Sequence, residues 1–327
     1  MASIRQRGDT WQVQVSKKGF PPESRTFTSK AEARRWATET EAAMLRGKHN
    51  SNAGTNAMAF REMLERYAQE VSPRKRGHKD EVIRIRALQR SKIAGFSLLN
   101  LTAEAIGQFR DDRLQHVQAG AVIRDLSLIS SVINHAHREW GLTVENPCRL
   151  VRKPPTPHGR SRVLSEIEEL RLLKALEPCG RRSPWPLVAT QLALETAMRR
   201  GEMLALRWEN VNLDARTALL PVTKNGQART VPLSSRAVAI LGGLTGPRQG
   251  SVINISPATL HQAFYRAVRR ADLHDLKFHD LRHTAATRMA TKLPNVIELA
   301  AVTGHQTVQM LRRYYHPDAT ALAHKLG

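Results

Sequence analysis

The sequence predicts a multidomain α+β protein: a small three-stranded sheet with one helix, then an all-helical unit, then a mixed, mainly helical unit with its own small β-sheet. Three observations lead to this fold class. Apolar and polar residues alternate near the N-terminus, and residues 212–233 read as strands around a hairpin turn. Elsewhere apolar residues recur at helical spacing. A chain of 327 residues is also long enough for two or three domains, each with its own core.

The N-terminal unit, residues 1–50, is predicted to be a three-stranded sheet packed on one helix. Residues 11–15 read WQVQV, an alternation typical of a half-buried strand, and residues 25–28 form another predicted strand. A Ser-x-x-Glu capping box at 29–32 begins the helix. The polar, glycine-containing stretch 47–57 is predicted to be a flexible linker.

The second unit, residues 58–150, is predicted to be all-helical. Apolar residues between 60 and 71 follow the i, i+3, i+4, i+7 pattern closely. Further helices are expected at about 80–90, 103–116 and 119–140.

The third unit, residues 163–327, begins after a proline-rich and basic segment at 151–162. Its prolines forbid a helix, and its basic residues favour an anion beside it, so it is either a linker along a DNA backbone or merely a solvated linker. A capping box at 165–168 starts the first helix of this unit. Strands are expected between 212 and 233, around an Asn225-Gly226 hairpin turn, and helices return up to the C-terminus.

The charge of the chain points to a polyanionic partner. Lys and Arg number 51 against 29 Asp and Glu, a formal net charge of +22. Nucleic acid is the first candidate and an acidic membrane surface the second. No apolar run approaches the ~18 residues of a membrane helix, and the first residues lack a signal-peptide core, so we expect a cytoplasmic protein. Cys148 and Cys179 form neither a disulfide framework nor a four-ligand zinc site, and we expect both to be packing residues.

Short segments of the third unit carry residues suited to chemistry, although each has an ordinary explanation when taken alone. Arg199 could be a solvated cation, Lys224 a hairpin tip, and Tyr314 a core aromatic residue. His279 and His283, four residues apart, could be half of a zinc site, but no intervening Glu or further cysteine supports a metal.

Together these segments resemble the tyrosine recombinase (phage integrase) family. The family pattern is an Arg in a T-G-x-R-x-x-E context, a hairpin Lys, H-x-x-R, then G-H, then Tyr nine residues later. The matching residues, in order, are Arg199, Lys224, His279, Arg282, His305 and Tyr314. Ala197 replaces the usual Gly and Thr303 the frequent Leu, changes that concern packing rather than chemistry. The stretches ALETAMRRGEMLALRWE and LKFHDLRHTA are especially similar to shufflon-type DNA invertases and are close to prophage integrases.

The resemblance implies a site-specific recombinase that cleaves and rejoins DNA through a 3′-phosphotyrosine intermediate, for integration or excision of a mobile element or for DNA inversion. It implies an arm-type DNA-binding domain at 1–50, a helical core-binding (SAM-like) domain at 58–150 and the catalytic domain at 163–327. The partners implied are double-stranded DNA with specific recombination sites and a homotetramer at the synapse, in which residues 320–327 dock on a neighbouring protomer. Accessory DNA-bending proteins are compatible with this assembly. Neither a cofactor nor a metal is implied, and there is no membrane partner.

The chemistry of the matched residues agrees with this function. Tyr314 supplies the nucleophile. Arg199 and Arg282 can each hold nonbridging phosphate oxygens bidentately and neutralise charge that grows in the transition state. Spacing from His305, and the Y-x-H ending completed by His316, favours Tyr314 over the adjacent tyrosine.

The remaining site residues are assigned to proton transfer and orientation. Lys224 can protonate the departing 5′ oxygen, and His279 suits proton exchange with the tyrosine hydroxyl. His305 is expected to donate a hydrogen bond to the phosphate. Glu202, three residues after Arg199, can orient that arginine. His283 is turned about 100° from Arg282 around the helix, so it is expected to point elsewhere and to be structural.

Two other functions remain as alternatives. A type IB topoisomerase uses the same residue types, but the separate N-terminal unit and the G-H-to-Tyr spacing favour the recombinase. A non-catalytic DNA-binding protein, such as a repressor or a decayed integrase, would fit the charge of +22 equally well. Because decay would be expected to strike at least one of the six matched positions, their presence argues against this alternative.

Overall fold

The computed structural model describes residues 2–16, 22–45, 58–142, 145–157, 159–221, 228–315 and 319–326. The chain divides into two compact units, Met1–His158 and Gly159–Gly327. Helices dominate, and each unit contains one three-stranded antiparallel sheet. The predicted mixed and mainly helical fold class is confirmed.

The N-terminal sheet packs on one helix, as predicted. Its strands are β1 (Ala2–Arg7), β2 (Thr10–Val15) and β3 (Glu23–Phe27), in the order β1-β2-β3, and helix α1 (Lys30–Leu45) follows. The alternation in β2 places Val13 on the buried face, where it pairs in register with Ile4 of β1 and Arg25 of β3. The small core consists of Val13, Val15, Ala33, Ala37 and Met44.

The rest of the first unit is helical, and its helices agree with the predicted ones to within a few residues. They are α2 (Phe60–Glu70), α3 (His78–Gln89), α4 (Ala103–Leu114) and α5 (Ala119–Glu139). Their buried apolar faces form a core separate from that of the N-terminal sheet. Gly141 lies just beyond α5 with φ at 69°, a left-handed conformation that ends the helix.

The second unit contains nine further helices and the second sheet within its described ranges. The helices are α6 (Glu166–Leu176), α7 (Trp185–Thr196), α8 (Arg200–Leu204), α9 (Ser235–Gly242), α10 (Pro257–Arg270), α11 (Phe278–Lys292), α12 (Val296–Thr303) and α13 (Val308–Leu311), and helix α14 (Ala319–Leu326) comes last. The strands are β4 (Val211–Asn212), β5 (Thr217–Leu220) and β6 (Arg229–Pro232), in the order β4-β5-β6. The capping box of Ser165 and Glu168 is present at α6, as predicted.

Helix α11 lies between the two cores of the second unit and positions the site. Leu281 belongs to the main core, whereas Ala286 and Ala290 belong to a smaller core with Leu299, Leu311 and Tyr314. Helix α11 also packs against α7 and α12. The side chains from Asp280 to Ala286 are accordingly buried between neighbouring elements.

Two predicted features lie outside the described residues. They are the linker at 47–57 and the Asn225-Gly226 hairpin turn, which includes Lys224. Among the helices that are described, none is long and apolar enough to cross a membrane.

Candidate active site

A left-handed residue between α7 and α8 sets the position of Arg199. Ala197 ends α7 with φ at 50° and is fully buried. The chain then turns so that Arg199 precedes α8 and its backbone N–H donates to Glu202 Oε2 at 3.0 Å. The guanidinium Nη1 of Arg199 donates to Glu202 Oε1 at 2.7 Å. Glu202 thus orients Arg199, as its three-residue spacing predicted.

Three arginines converge on the backbone between α12 and His305. Arg282 Nη2 donates to the carbonyl oxygen of Thr303 at 2.7 Å, and Arg229 Nη1 donates to the same oxygen at 3.0 Å. Arg199 Nη2 donates to the carbonyl oxygen of Gly304 at 3.2 Å. This turn therefore receives three guanidinium groups, which fix it against α8, β6 and α11.

Arg282 is held rigidly and remains positively charged. Its residue surface is 3% exposed, and its Nη1 donates to the carbonyl oxygen of Ala197. Burial, together with the nearby Arg199 and Arg229, lowers the pKa of Arg282 to about 10. At neutral pH the guanidinium is still protonated and can bind an anion such as a phosphate.

Arg229 is a residue that the sequence analysis missed. It lies on β6, and its Nη2 donates to Glu202 Oε2 at 2.9 Å. Its side chain is 12% exposed, and Nε has no hydrogen-bond partner within the described residues. Glu202 consequently bridges Arg199 and Arg229. The sequence signal was weak, because a basic residue after a hairpin is usually exposed.

His305 is neutral, and its tautomer follows from its neighbours. The hydroxyl of Thr303 donates to the carbonyl oxygen of Leu299 at 2.6 Å, so at 2.7 Å from His305 Nδ1 it can only accept. Nδ1 therefore carries the proton, and Nε2 accepts from Arg282 Nη2 at 3.3 Å. Burial and the nearby arginines, first Arg282 and then Arg199, lower the pKa of His305 to about 3. Donation to a phosphate, the role expected from the sequence, would need a proton on Nε2.

Tyr314 is buried beside His305 and His283. It ends a 3₁₀ turn (Arg312–Tyr314), is 5% exposed, and its ring centroid is 5.5 Å from that of His305. Its hydroxyl lies 2.9 Å from His283 Nδ1. Burial raises the pKa of Tyr314, so the hydroxyl is protonated at neutral pH.

The expectation that His283 points away from the site is wrong. The 100° offset does separate it from Arg282 on α11, but Tyr314 arrives from another element and meets it there. The two tyrosines also do not share a regular helix, because Tyr315 is extended. Its hydroxyl donates to the carbonyl oxygen of Leu293 at 2.8 Å. The hydroxyls of Tyr314 and Tyr315 therefore have different partners, the imidazole of His283 and the backbone of Leu293.

The other two site residues predicted from the sequence, His279 and Lys224, are not among the buried residues around Tyr314. His279 is exposed in the first turn of α11, and its ring meets the ring of His283 edge-on, with centroids 5.1 Å apart. Lys224 lies outside the described residues. Within the described ranges, no three His, Cys, Asp or Glu side chains are grouped so that they could hold a metal ion.

Comparison with known proteins places the chain in a family. Residues 162–321 match the model of the phage integrase family. The chain is 39% identical over 278 residues to the shufflon-specific DNA recombinase of Escherichia coli, covering 82% of this chain and 72% of that protein. It is 34% identical over 331 residues to a putative integrase/recombinase of Haemophilus influenzae, covering 97% and 88%. This chain belongs to the phage integrase family.

Two solved integrase structures share the fold of this chain. The lambda integrase tetramer bound to a Holliday junction superposes with a TM-score of 0.65 at 19% identity, covering 96% of this chain and 94% of that one. The Tn1549 transposon integrase in complex with circular intermediate DNA gives a TM-score of 0.66 at 15% identity, covering 83% and 100%. These structures share the fold of this chain, and the family match with the relatives above confirms the resemblance predicted from the sequence motifs.

Proposed function

We propose that this phage integrase family member is a site-specific DNA recombinase that cleaves and rejoins double-stranded DNA through a 3′-phosphotyrosine bond to Tyr314. The observation that carries the proposal is the clustering of fixed guanidinium groups near one buried tyrosine. Arg282 contacts His305, whose ring lies 5.5 Å from that of Tyr314, and Arg199 shares the same backbone turn. An anion bound by the two arginines would lie beside the hydroxyl.

Each step of the proposed cleavage has a residue suited to it. Arg199 and Arg282 bind the nonbridging oxygens of the scissile phosphate and stabilise the charge of the pentavalent transition state. The Tyr314 oxygen attacks phosphorus, and the bond from phosphorus to the 5′ oxygen breaks. Lys224 protonates the departing oxygen. Because the phosphotyrosine bond retains the energy of the broken linkage, rejoining requires no ATP.

The first unit is proposed to bind DNA at two kinds of site. We assign residues 1–50 to arm-site binding and 58–150 to core-site binding, with catalysis in 163–327. Arg5, Arg7 and Arg25 are exposed on the N-terminal sheet, and a sheet of this width can enter a major groove. Deletion of residues 1–50 should leave cleavage of a core site intact and should abolish the footprint on a distal arm site.

Recombination exchanges four DNA strands, so we expect four protomers at the synapse. The lambda integrase structure similar in fold is a tetramer on a Holliday junction. Here helix α14 carries Leu326, which is 88% exposed, and we expect this helix to dock on a neighbouring protomer. Accessory DNA-bending proteins are compatible with such an assembly. Since the substrate is cellular DNA, we expect the protein to act in the cytoplasm.

A nicked suicide substrate tests the proposed function. Nicked duplexes are prepared from the DNA that flanks the gene. They are incubated with the protein, and the products are run on a denaturing gel. A recombinase forms a covalent adduct only with duplexes that contain its site, whereas a non-catalytic DNA-binding protein forms none. Relaxation of a supercoiled plasmid that lacks any such site would instead indicate a topoisomerase and would contradict the proposal.

A further inference from the structure

The hydroxyl group of Tyr314 is hydrogen-bonded to a histidine outside the family pattern. His283 Nδ1 lies 2.9 Å from Tyr314 Oη, and both residues are buried, at 8% and 5% exposure. His279, which the sequence motif selects for proton exchange, contacts the imidazole of His283. The two histidines are one helical turn apart on α11, and the inner one contacts the tyrosine.

We propose that His283 accepts the phenolic proton when Tyr314 attacks DNA, which makes it a catalytic residue of the reaction proposed above, on which this inference rests. The proton moves from Tyr314 Oη to His283 Nδ1 as the bond from Oη to phosphorus forms and the bond to the 5′ oxygen breaks. The departing oxygen takes its proton from Lys224. During rejoining the 5′ hydroxyl returns its proton, and His283 gives its own back to Oη, so nothing is consumed.

The surroundings of His283 keep it able to accept a proton. Burial, with the positive charge of His279 when protonated and of Arg313, lowers the pKa of His283 to about 4, so the imidazole is neutral at physiological pH. The other charged groups that face it are Arg282, which lowers the pKa, and Asp280, which raises it. His305, whose own pKa is about 3, contributes no charge at neutral pH.

Binding of DNA should strengthen this base. A phosphate held by Arg199 and Arg282 adds negative charge near His283 and offsets the arginines that disfavour its protonated form. The pKa of His283 then rises toward neutrality, the range in which a general base is most effective. Proton acceptance is thereby coupled to the presence of the scissile phosphate. In DNA-free protein, by contrast, Tyr314 stays protonated and buried.

Replacement of His283 by Asn separates proton transfer from positioning. An Asn side chain places a polar atom near the Nδ1 position and can still hydrogen-bond the hydroxyl, but it cannot take up a proton near neutral pH. We expect single-turnover adduct formation on the nicked substrate to fall about 100-fold or more, the range of general base catalysis, with DNA affinity unchanged. His279→Asn, the same change one helical turn away, tests the competing assignment that the sequence motif makes, and we expect it to reduce the rate less than about tenfold.

The pH dependence supplies a readout that a packing role would not alter. In His283→Asn the proton must leave to solvent base, so the rate should climb about tenfold per pH unit between pH 6 and 9. The wild-type rate should change far less over this range. A substrate with a 5′-thio leaving group needs no acid to protonate that group. It should restore cleavage by Lys224→Ala but not cleavage by His283→Asn. His283→Gln serves the same test if the Asn variant does not fold.

The outcomes are distinguishable. The inference is overturned if His283→Asn cleaves within a few fold of wild type with the same pH profile, or if His279→Asn alone shows the loss. Absence of an adduct with the wild-type protein on every candidate site would instead refute the proposed function itself.

Discussion

The guanidinium group of Arg229 occupies the space where a side chain on Gly304 would begin. A Cβ at residue 304 would lie 1.9 Å from Arg229 Nη1, and the backbone there has φ at 70°. Both the conformation and the neighbour therefore require glycine. This packing explains the Gly of the G-H motif and links β6 to the turn that leads into His305.

Gly304→Ala should destabilise the catalytic domain and reduce cleavage strongly. The added Cβ must displace Arg229 from its bonds to Thr303 and Glu202, and we expect a loss of about 2–4 kcal/mol in the free energy of unfolding. Denaturant unfolding and the suicide-substrate gel measure the two effects. The matched control is Gly180→Ala, where φ is 61° but nothing lies within 4 Å of the new Cβ. It should cost only about 1 kcal/mol, from backbone strain alone. Equal losses in the two variants would contradict the proposed packing.

Ala197→Gly should stabilise the protein. Ala197 is held at φ 50°, where a Cβ is unfavourable by about 1 kcal/mol, and glycine removes that strain. The gain is expected in thermal or denaturant unfolding, with cleavage preserved because the carbonyl that binds Arg282 remains. Ala239→Gly, in the exposed middle of α9, should instead lose about 1 kcal/mol. Destabilisation by both changes would show that Ala197 is not strained.

Tyr314→Phe should abolish the covalent adduct with little change in DNA affinity, because only the attacking oxygen is lost. Tyr315→Phe should keep the adduct, since its hydroxyl is bound to the carbonyl oxygen of Leu293. It should cost about 1 kcal/mol of stability through that lost hydrogen bond. A denaturing gel decides between them: an adduct that survives Tyr314→Phe but vanishes with Tyr315→Phe would reverse the assignment.

Stability should decrease in mild acid. The folded pKa of His283 is about 4 and that of His305 about 3, below the unfolded value of about 6.5. Between pH 4 and pH 6.5 the unfolded chain binds more protons than the folded protein. The stability that the neutral histidines contribute is therefore complete above pH 6.5 and is lost as the pH falls toward 4. His283 alone should account for about 2 kcal/mol between pH 7 and pH 5. Unfolding free energies at both pH values should therefore differ less in His283→Asn, and an unchanged difference would argue against a buried neutral imidazole.

Much of the architecture could be predicted from the sequence, as could four of the residues that the structure brings together, Arg199, Arg282, His305 and Tyr314. The helices of the first unit follow from apolar spacing, because burial of one helical face is a local pattern in the chain. The contact of Arg199 with Glu202 could also be predicted, because the two residues lie three apart and their spacing along the chain is fixed. The choice of Tyr314 over Tyr315 also came from spacing along the chain, and the separation of their hydroxyls agrees with it.

Only the tertiary structure decided which groups meet across the fold. The position of His283 on α11 indicates its direction on the helix, but not that Tyr314, 31 residues later, comes to that face. Arg229 looked like an ordinary basic residue after a hairpin, yet it is 74 residues from the carbonyl of Thr303 that it binds. Helical periodicity specifies which face of an element is buried, whereas the partner on that face is set by packing between elements distant in sequence.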